Sequence, residues 1–235
     1  MIDVVVSGAP GRMGRAVCQA VVSEEDMCLA GAVGAPARPY IGEDIGSLIG
    51  IEPQNVSIEE DMGAALRPGR TWVEFSTPAA TMAHAEQVKD LGMPLIIGTT
   101  GLEESHHEKI VAWADRMPCL LAPNMSVGAN LLFRLSESVS SLLPDFDVEI
   151  IEAHHRFKRD APSGTASHLA ERVARARRHS LKDTAAYGRD PSHGARQADE
   201  IGIHSVRAGD VVGEHTVVFG GLGERIELTH RVHSS

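Results

Sequence analysis

Apolar and polar positions follow two different rhythms along the chain, and the rhythm changes near Asn124. "IDVVVSG", residues 2–8, is a short β-branched run closed by glycine, the signature of a buried strand. Over residues 12–22, Met13, Ala16, Val17 and Ala20 recur at helical spacing and predict a helix with that face inward. "CLAGAV" is a second strand. Further on, "TWVEFS", "PLIIGTTG" and "CLLAPN" read as strands. Between them lie the helical stretches "PAATMAHAEQVKDLG" and "EESHHEKIVAWADRM". Pro78 opens the first of these helices and Gly92 follows its end. Alternation of this kind predicts an α/β domain, a Rossmann-like doubly wound parallel sheet with helices on both faces.

After Asn124 the order differs. "SVGANLLFRLSESVSSLL" is a helix, "DFDVEIIEAHH" a longer strand, and "SGTASHLAERVARARR" a helix that Ser163 can cap. Residues 179–200 show no period and read as loop. Three strands close the chain: "IGIHSVRAG", "GEHTVVFGG" and "ERIELTHRV". In the last, Ile226, Leu228 and His230 alternate with Glu227, Thr229 and Arg231, as in a sheet with one wet face. The chain therefore divides into a dinucleotide-binding domain, 1–124, and an α+β domain, 125–235, with an open mixed sheet. Arg172, Arg175, Arg177 and Arg178 read as the solvated end of a helix, favourable to its dipole.

Composition narrows the chemistry. A formal net charge of -10 with 43% hydrophobic residues describes a globular protein without the positive field that nucleic acid requires. Cys18, Cys28 and Cys119 have apolar neighbours and no CxxC pairing, so they read as reduced thiols. The N-terminal stretch lacks a basic and apolar leader pattern, and no run approaches a membrane span. A soluble, cytoplasmic protein is expected.

Two stretches carry candidate chemistry. "GAPGRMG" follows the first strand and opens the first helix. Gly8, Gly11 and Gly14 permit a tight turn and close backbone approach, and the helix start offers N–H groups to a pyrophosphate beside Arg12. An acidic residue normally follows the second strand of such a site to hold a ribose. Here Gly34 and Ala35 stand there, with Arg38 the nearest cation, which leaves NAD and NADP both open. The later strand ends carry "FSTP", "GTTG" and "APNMS", small and hydroxylated groups suited to a nicotinamide ring.

The second stretch is "EAHHRFKRDAPSGTA". In an extended strand His154 shares a face with Glu152 and Ile150, while His155 points the other way with Ala153 and Ile151. The histidines lack the spaced partners of a zinc site, so no metal is expected. Arg156, Lys158 and Arg159 attract an anion, and Ser163, Gly164 and Thr165 begin a helix whose amides and hydroxyls seat a carboxylate. A histidine and a lysine nearby can exchange protons. By themselves these residues fit a nicotinamide-dependent reductase of a small dicarboxylate, with a non-catalytic dinucleotide or metabolite sensor as the alternative.

Taken together, "GAPGRMG", "EFSTP", "GTTG", "APNMSVGAN", "EIIEAHHRFKRDAPSGTA", "VRAGDVVGEHTVVF" and "GERIELTH" resemble the dihydrodipicolinate reductase (4-hydroxy-tetrahydrodipicolinate reductase) family of lysine and diaminopimelate biosynthesis, nearly end to end. The resemblance implies reduction of 4-hydroxy-tetrahydrodipicolinate by NADH or NADPH, and a C-terminal domain that binds substrate and builds a homotetramer. It puts His154 in the place of a proton donor or acceptor and Lys158 in that of a proton-donating lysine. His155, Ser163, Gly164 and Thr165 fall at substrate-binding positions. Gly8, Ala9, Pro10, Gly11, Arg12 and Met13 fall at cofactor positions, as do Gly98, Thr99 and Thr100, and Ala122, Pro123, Asn124 and Met125. Gly34 departs from the family's usual acid. Family members also continue past the position of Ser235 with a segment that includes a helix.

Overall fold

The computed structural model describes residues 1–122 and 124–233, and the chain divides into two compact units, Met1–Pro123 and Asn124–Ser235. The first unit runs β1 (Ile2–Ser7), α1 (Arg12–Ser23), β2 (Met27–Val33), α2 (Ile45–Ile49), β3 (Ile58–Glu59), β4 (Thr71–Glu74), α3 (Pro78–Asp90), β5 (Leu95–Ile97), α4 (Glu104–Trp113) and β6 (Cys119–Leu121). Its six strands are parallel in the order β3-β2-β1-β4-β5-β6. Successive side chains of β1 feed opposite faces: Val5 packs with Trp72, Ala85, Val88 and Ile110, whereas Val4 and Val6 pack with Cys18, Val21 and Ile45. Helices on both faces thus bury a sheet whose strands are nearly all apolar, as the alternation predicted.

The inward face of α1 differs from expectation. Gly14, Cys18 and Val21 are buried, while Met13 is 53% exposed and Ala16 and Ala20 are also exposed. Close approach decides this. A Cβ on Gly14 would lie 2.1 Å from the Gly8 carbonyl oxygen, so the helix face nearest the sheet has room only for hydrogen. A stripe read from apolar residues alone passes over glycine.

The second unit runs α5 (Val127–Leu142), β7 (Asp147–His154), α6 (Gly164–Ala176), α7 (Leu181–Thr184), β8 (Ala185–Tyr187), β9 (Ile201–Arg207), β10 (Gly213–Gly220) and β11 (Arg225–Val232). The mixed sheet has the order β11-β10-β7-β9-β8, antiparallel at the first two junctions and parallel at the others. Helices α5 and α6 cover one face. Leu132, Phe133, Leu169 and Val173 meet Val148, Ile150, Ile203, Val217 and Phe219 there. On the other face Ile151 and Val206, on adjacent central strands, remain 40% and 44% exposed.

Two expectations need correction here. The stretch 179–200 contains α7 and the edge strand β8, elements too short for periodicity to reveal. Arg177 is not a solvated helix end. Its guanidinium donates to Ser140 Oγ (3.0 Å) and to the carbonyls of Leu143 (3.1 Å) and Phe146 (2.7 Å), tying α6 to the turn after α5.

Phe219, fully buried between strands and helices, should cost about 3–5 kcal/mol on truncation to alanine. Met13→Ala should stay within about 0.5 kcal/mol. Urea unfolding of both variants checks this assignment of inside and outside.

Candidate active site

In the second unit a single carboxylate organises the candidate chemistry of the sequence. Glu152 lies on β7, and its side chain is fully buried. Arg207, at the end of the neighbouring β9, donates to both oxygens, Nη1 to Oε2 at 2.9 Å and Nη2 to Oε1 at 2.7 Å. The Ser163 amide donates to Oε1 at 3.2 Å. His154 Nδ1 meets Oε2 at 2.5 Å, because residues two apart on a strand share a face. Burial alone would raise the Glu152 carboxyl, but hydrogen bonds led by Arg207 hold it down at about 2. It is therefore a fixed anion.

That anion orients the imidazole. With Nδ1 against Glu152, the Nε2 of His154 has no hydrogen bond to the described residues. Burial lowers His154 from its ordinary value in spite of Glu152, so the ring is neutral near pH 7. His215, on β10, stacks edge-on against it with centroids 5.2 Å apart. His215 Nε2 lies 3.2 Å from Ser163 Oγ, which also accepts from the Ala166 amide as the N-cap of α6. Burial, with help from His154, pushes His215 down to about 4.

The neighbouring loop completes the group. Lys158 Nζ lies 2.8 Å from Asp160, whose backbone carbonyl accepts from Arg207 at 2.6 Å. Gly164 opens α6 with nothing within 4 Å of where a side chain would begin. Thr165 Oγ1 accepts from Asn124 Nδ2 at 3.2 Å. His155 lies just past the end of β7, and its Nδ1 is buried without a partner. Among the described residues no group of three or more His, Cys, Asp or Glu is arranged to hold a metal ion.

In the first unit a cleft of about 460 Å³ opens at the carboxyl ends of β1, β2 and β4, where strand order reverses. Gly8, Pro10, Gly11, Gly34, Phe75 and His84 are among its lining residues. Gly8 has φ +73°, and a Cβ there would lie 2.3 Å from the Phe75 carbonyl oxygen. Gly11 caps α1 with no side-chain hydrogen bond, and no acid sits in the first turn. The first amides of α1 are thus free of competing protein oxygens, and the cradle fits a pyrophosphate. Ala9 is buried, with its amide on the Val33 carbonyl at 3.1 Å, whereas Arg12 is exposed.

The remaining cofactor candidates scatter. A Cβ on Gly98 would fall 2.1 Å from the Phe75 ring, so the glycine lets that ring lie flat against the β5 end. Thr99 is buried and its hydroxyl accepts from Thr81 at 2.8 Å, turned inward. Thr100 and Met125 are exposed and Ala122 is half-buried. Pro123 lies outside the described residues.

Sequence reading missed several groups. Glu152 and Arg207 were in quoted motifs without a role, and their pairing across 55 residues left no local mark. The spacing Glu152-x-His154 was the available signal. Beneath the cleft lies a second buried carboxylate, Glu74. It accepts from Trp72 Nε1 at 2.9 Å, from Ser76 Oγ and, at 3.0 Å, meets His84 Nδ1. Burial works to raise Glu74, but these contacts, His84 foremost, leave it below its ordinary value.

Comparison with known proteins places the chain. The family model described as "Dihydrodipicolinate reductase, N-terminus" matches residues 2–125, and that described as "Dihydrodipicolinate reductase, C-terminus" matches residues 128–235. The chain belongs to the dihydrodipicolinate reductase family. A curated relative from Nitrosomonas europaea, named 4-hydroxy-tetrahydrodipicolinate reductase, is 45% identical over 99% of this chain and 87% of its own. One of the same name from Rubrobacter xylanophilus is 46% identical over 100% of this chain and 87% of its own. The solved dipicolinate-bound dihydrodipicolinate reductase of Paenisporosarcina sp. TG-14 superposes with a TM-score of 0.73 at 28% identity, covering 99% of this chain and 88% of that one. The doubly wound sheet followed by a mixed sheet is thus the fold of a dihydrodipicolinate reductase.

The depressed values of His215 and Glu152 set a pH dependence of stability. The unfolded chain binds a proton at His215 near 6.5, the folded chain only near 4. This contribution is therefore complete above about pH 6.5 and is lost as pH falls toward 4, on the order of 3 kcal/mol. The Glu152 contribution is lost lower, between 4.5 and about 2. Urea unfolding from pH 7 to pH 4 should show the first decline, and His215→Gln should flatten it.

Proposed function

We propose that this chain reduces 4-hydroxy-tetrahydrodipicolinate to tetrahydrodipicolinate in lysine and diaminopimelate biosynthesis, with NADH or NADPH as reductant. The observation that carries the reading is the Glu152–His154 pair beside Lys158 and the start of α6, within a chain of this family. Loss of water from the hydroxylated ring leaves a carbon–carbon double bond conjugated to an imine. One hydride and one proton then saturate that bond, so the sum consumes a hydride and a proton and releases a water. A reduced nicotinamide, when bound, supplies the hydride.

The chain's own residues do the rest. Gly8, Ala9, Pro10, Gly11, Arg12 and Met13 hold the dinucleotide phosphates with the amides of α1. Gly98, Thr100, Ala122, Pro123, Asn124 and Met125 serve the nicotinamide end, and Thr99 contributes through its backbone. Lys158 exchanges Asp160 for a substrate carboxylate and gives up the proton. The free Nε2 of His154, aimed by Glu152, takes or returns a proton at the same substrate. His155 and the group Ser163, Gly164 and Thr165 seat the carboxylates, where hydroxyls, amides and the helix dipole act together.

The partner reading follows from the sheet. A face with exposed Ile151 and Val206 on central strands, uncovered by any helix of its own unit among the described residues, is suited to self-association. We assign to it a homotetramer, in a cytoplasmic enzyme. No helix of the described residues is long and apolar enough to cross a membrane.

His154→Gln and Lys158→Ala should each lower turnover by about 10²–10⁴-fold, with NADH affinity by fluorescence titration within about threefold of the parent. The assay follows NADH and NADPH oxidation with freshly condensed pyruvate and aspartate semialdehyde. Parent-like rates in both variants would refute the assigned roles.

A further inference from the structure

The acid that a dinucleotide fold normally places after its second strand is absent, and the structure shows that position 34 has no space for one. A Cβ on Gly34 would lie 2.6 Å from the Tyr40 ring, 3.1 Å from Ile58 and 3.2 Å from Pro10. Tyr40 is held there, half-buried against the β2 side of the core, with its hydroxyl accepting from the Ala35 amide at 3.2 Å. The ring fills the place of the missing side chain.

A carboxylate returns to the same end of the cleft from the next strand. β3 pairs with β2 so that Val33 faces Glu59, and the Gly34 amide donates to the Glu59 carbonyl at 2.9 Å. Glu60 follows at once and lines the cleft together with Gly34, Ala35, Pro36 and Tyr40. It is the one acid among the described lining residues, and no lysine or arginine lines the cleft with it. Its Oε2 accepts from the Ala37 amide at 3.2 Å, which fixes the head group and leaves Oε1 to accept further. Arg38 stands nearby in sequence but does not line the cleft.

We infer that Glu60, set across from Gly34 and braced by Ala37, accepts the hydrogen bonds of the adenosine ribose hydroxyls, and that it makes this chain favour NADH over NADPH. This rests on the reading of the cleft as a dinucleotide site. A carboxylate acceptor suits a 2′-hydroxyl donor and repels a 2′-phosphate, which brings only acceptors and about two negative charges.

Direct binding tests this without turnover. NADH and NADPH are titrated by fluorescence against the parent chain, Glu60→Gln and Glu60→Lys, at low and moderate salt. The parent should bind NADH at least tenfold more tightly than NADPH at low salt, and salt should narrow the gap by relieving the repulsion. Glu60→Gln should shrink the ratio about tenfold, and Glu60→Lys should reverse it. Glu60 is exposed, and matched thermal melts establish that the variants fold. A parent that favours NADPH, or a ratio unmoved in both variants, overturns the inference while leaving the cleft a dinucleotide site. Binding of neither nucleotide removes the site and the inference with it.

Discussion

The second unit depends on one buried ion pair. Glu152 is shut away from water, and a lone carboxylate there would be expelled or protonated. Arg207 makes it tolerable by engaging both oxygens, and the Ser163 amide and His154 take up the remaining acceptor capacity. Four segments are thereby fixed to one point: β7, β9, the start of α6 and, through the Asp160 carbonyl, the loop that carries Lys158. The pair is a poor source of net stability, since burial opposes it. Its value is geometric, because His154, the start of α6 and the loop that carries Lys158 are positioned by the same carboxylate.

The first unit repeats the device with a histidine in place of the arginine. Glu74 is likewise buried, and its partners Ser76 and His84 reach the cleft surface together with Ser7. A carboxylate sunk under a ligand cleft keeps neighbouring hydroxyl and imidazole groups in one orientation and leaves no flexible charge at the surface. The floor of the cleft is therefore polar yet stiff.

The doubly wound sheet was legible because its strands are continuous apolar runs and its helices carry ordinary start and stop residues. The Ser163 cap and the common face of Glu152 and His154 were also readable, since both are local. What was hidden is non-local or small. Arg207 meets Glu152 across 55 residues, and Arg177 meets the turn after α5 across more than 30. The face of α1 misled because glycine contributes nothing to an apolar stripe while permitting the closest contact. α7 has four residues and β8 three, too few to repeat the pattern that would announce them. The absence of an acid at position 34 was plain. That a tyrosine occupies its space, and that an acid stands one strand away, needed the lateral pairing of β2 with β3.

Phe75 and Gly98 form a single packing unit split between two strand ends. The aromatic ring sits where a methyl group on residue 98 would have to be. An alanine at 98 on its own would force that ring to move, and the ring lines the cleft. A change at either of these two sites is therefore felt at the other and, through the ring, in the shape of the cleft itself.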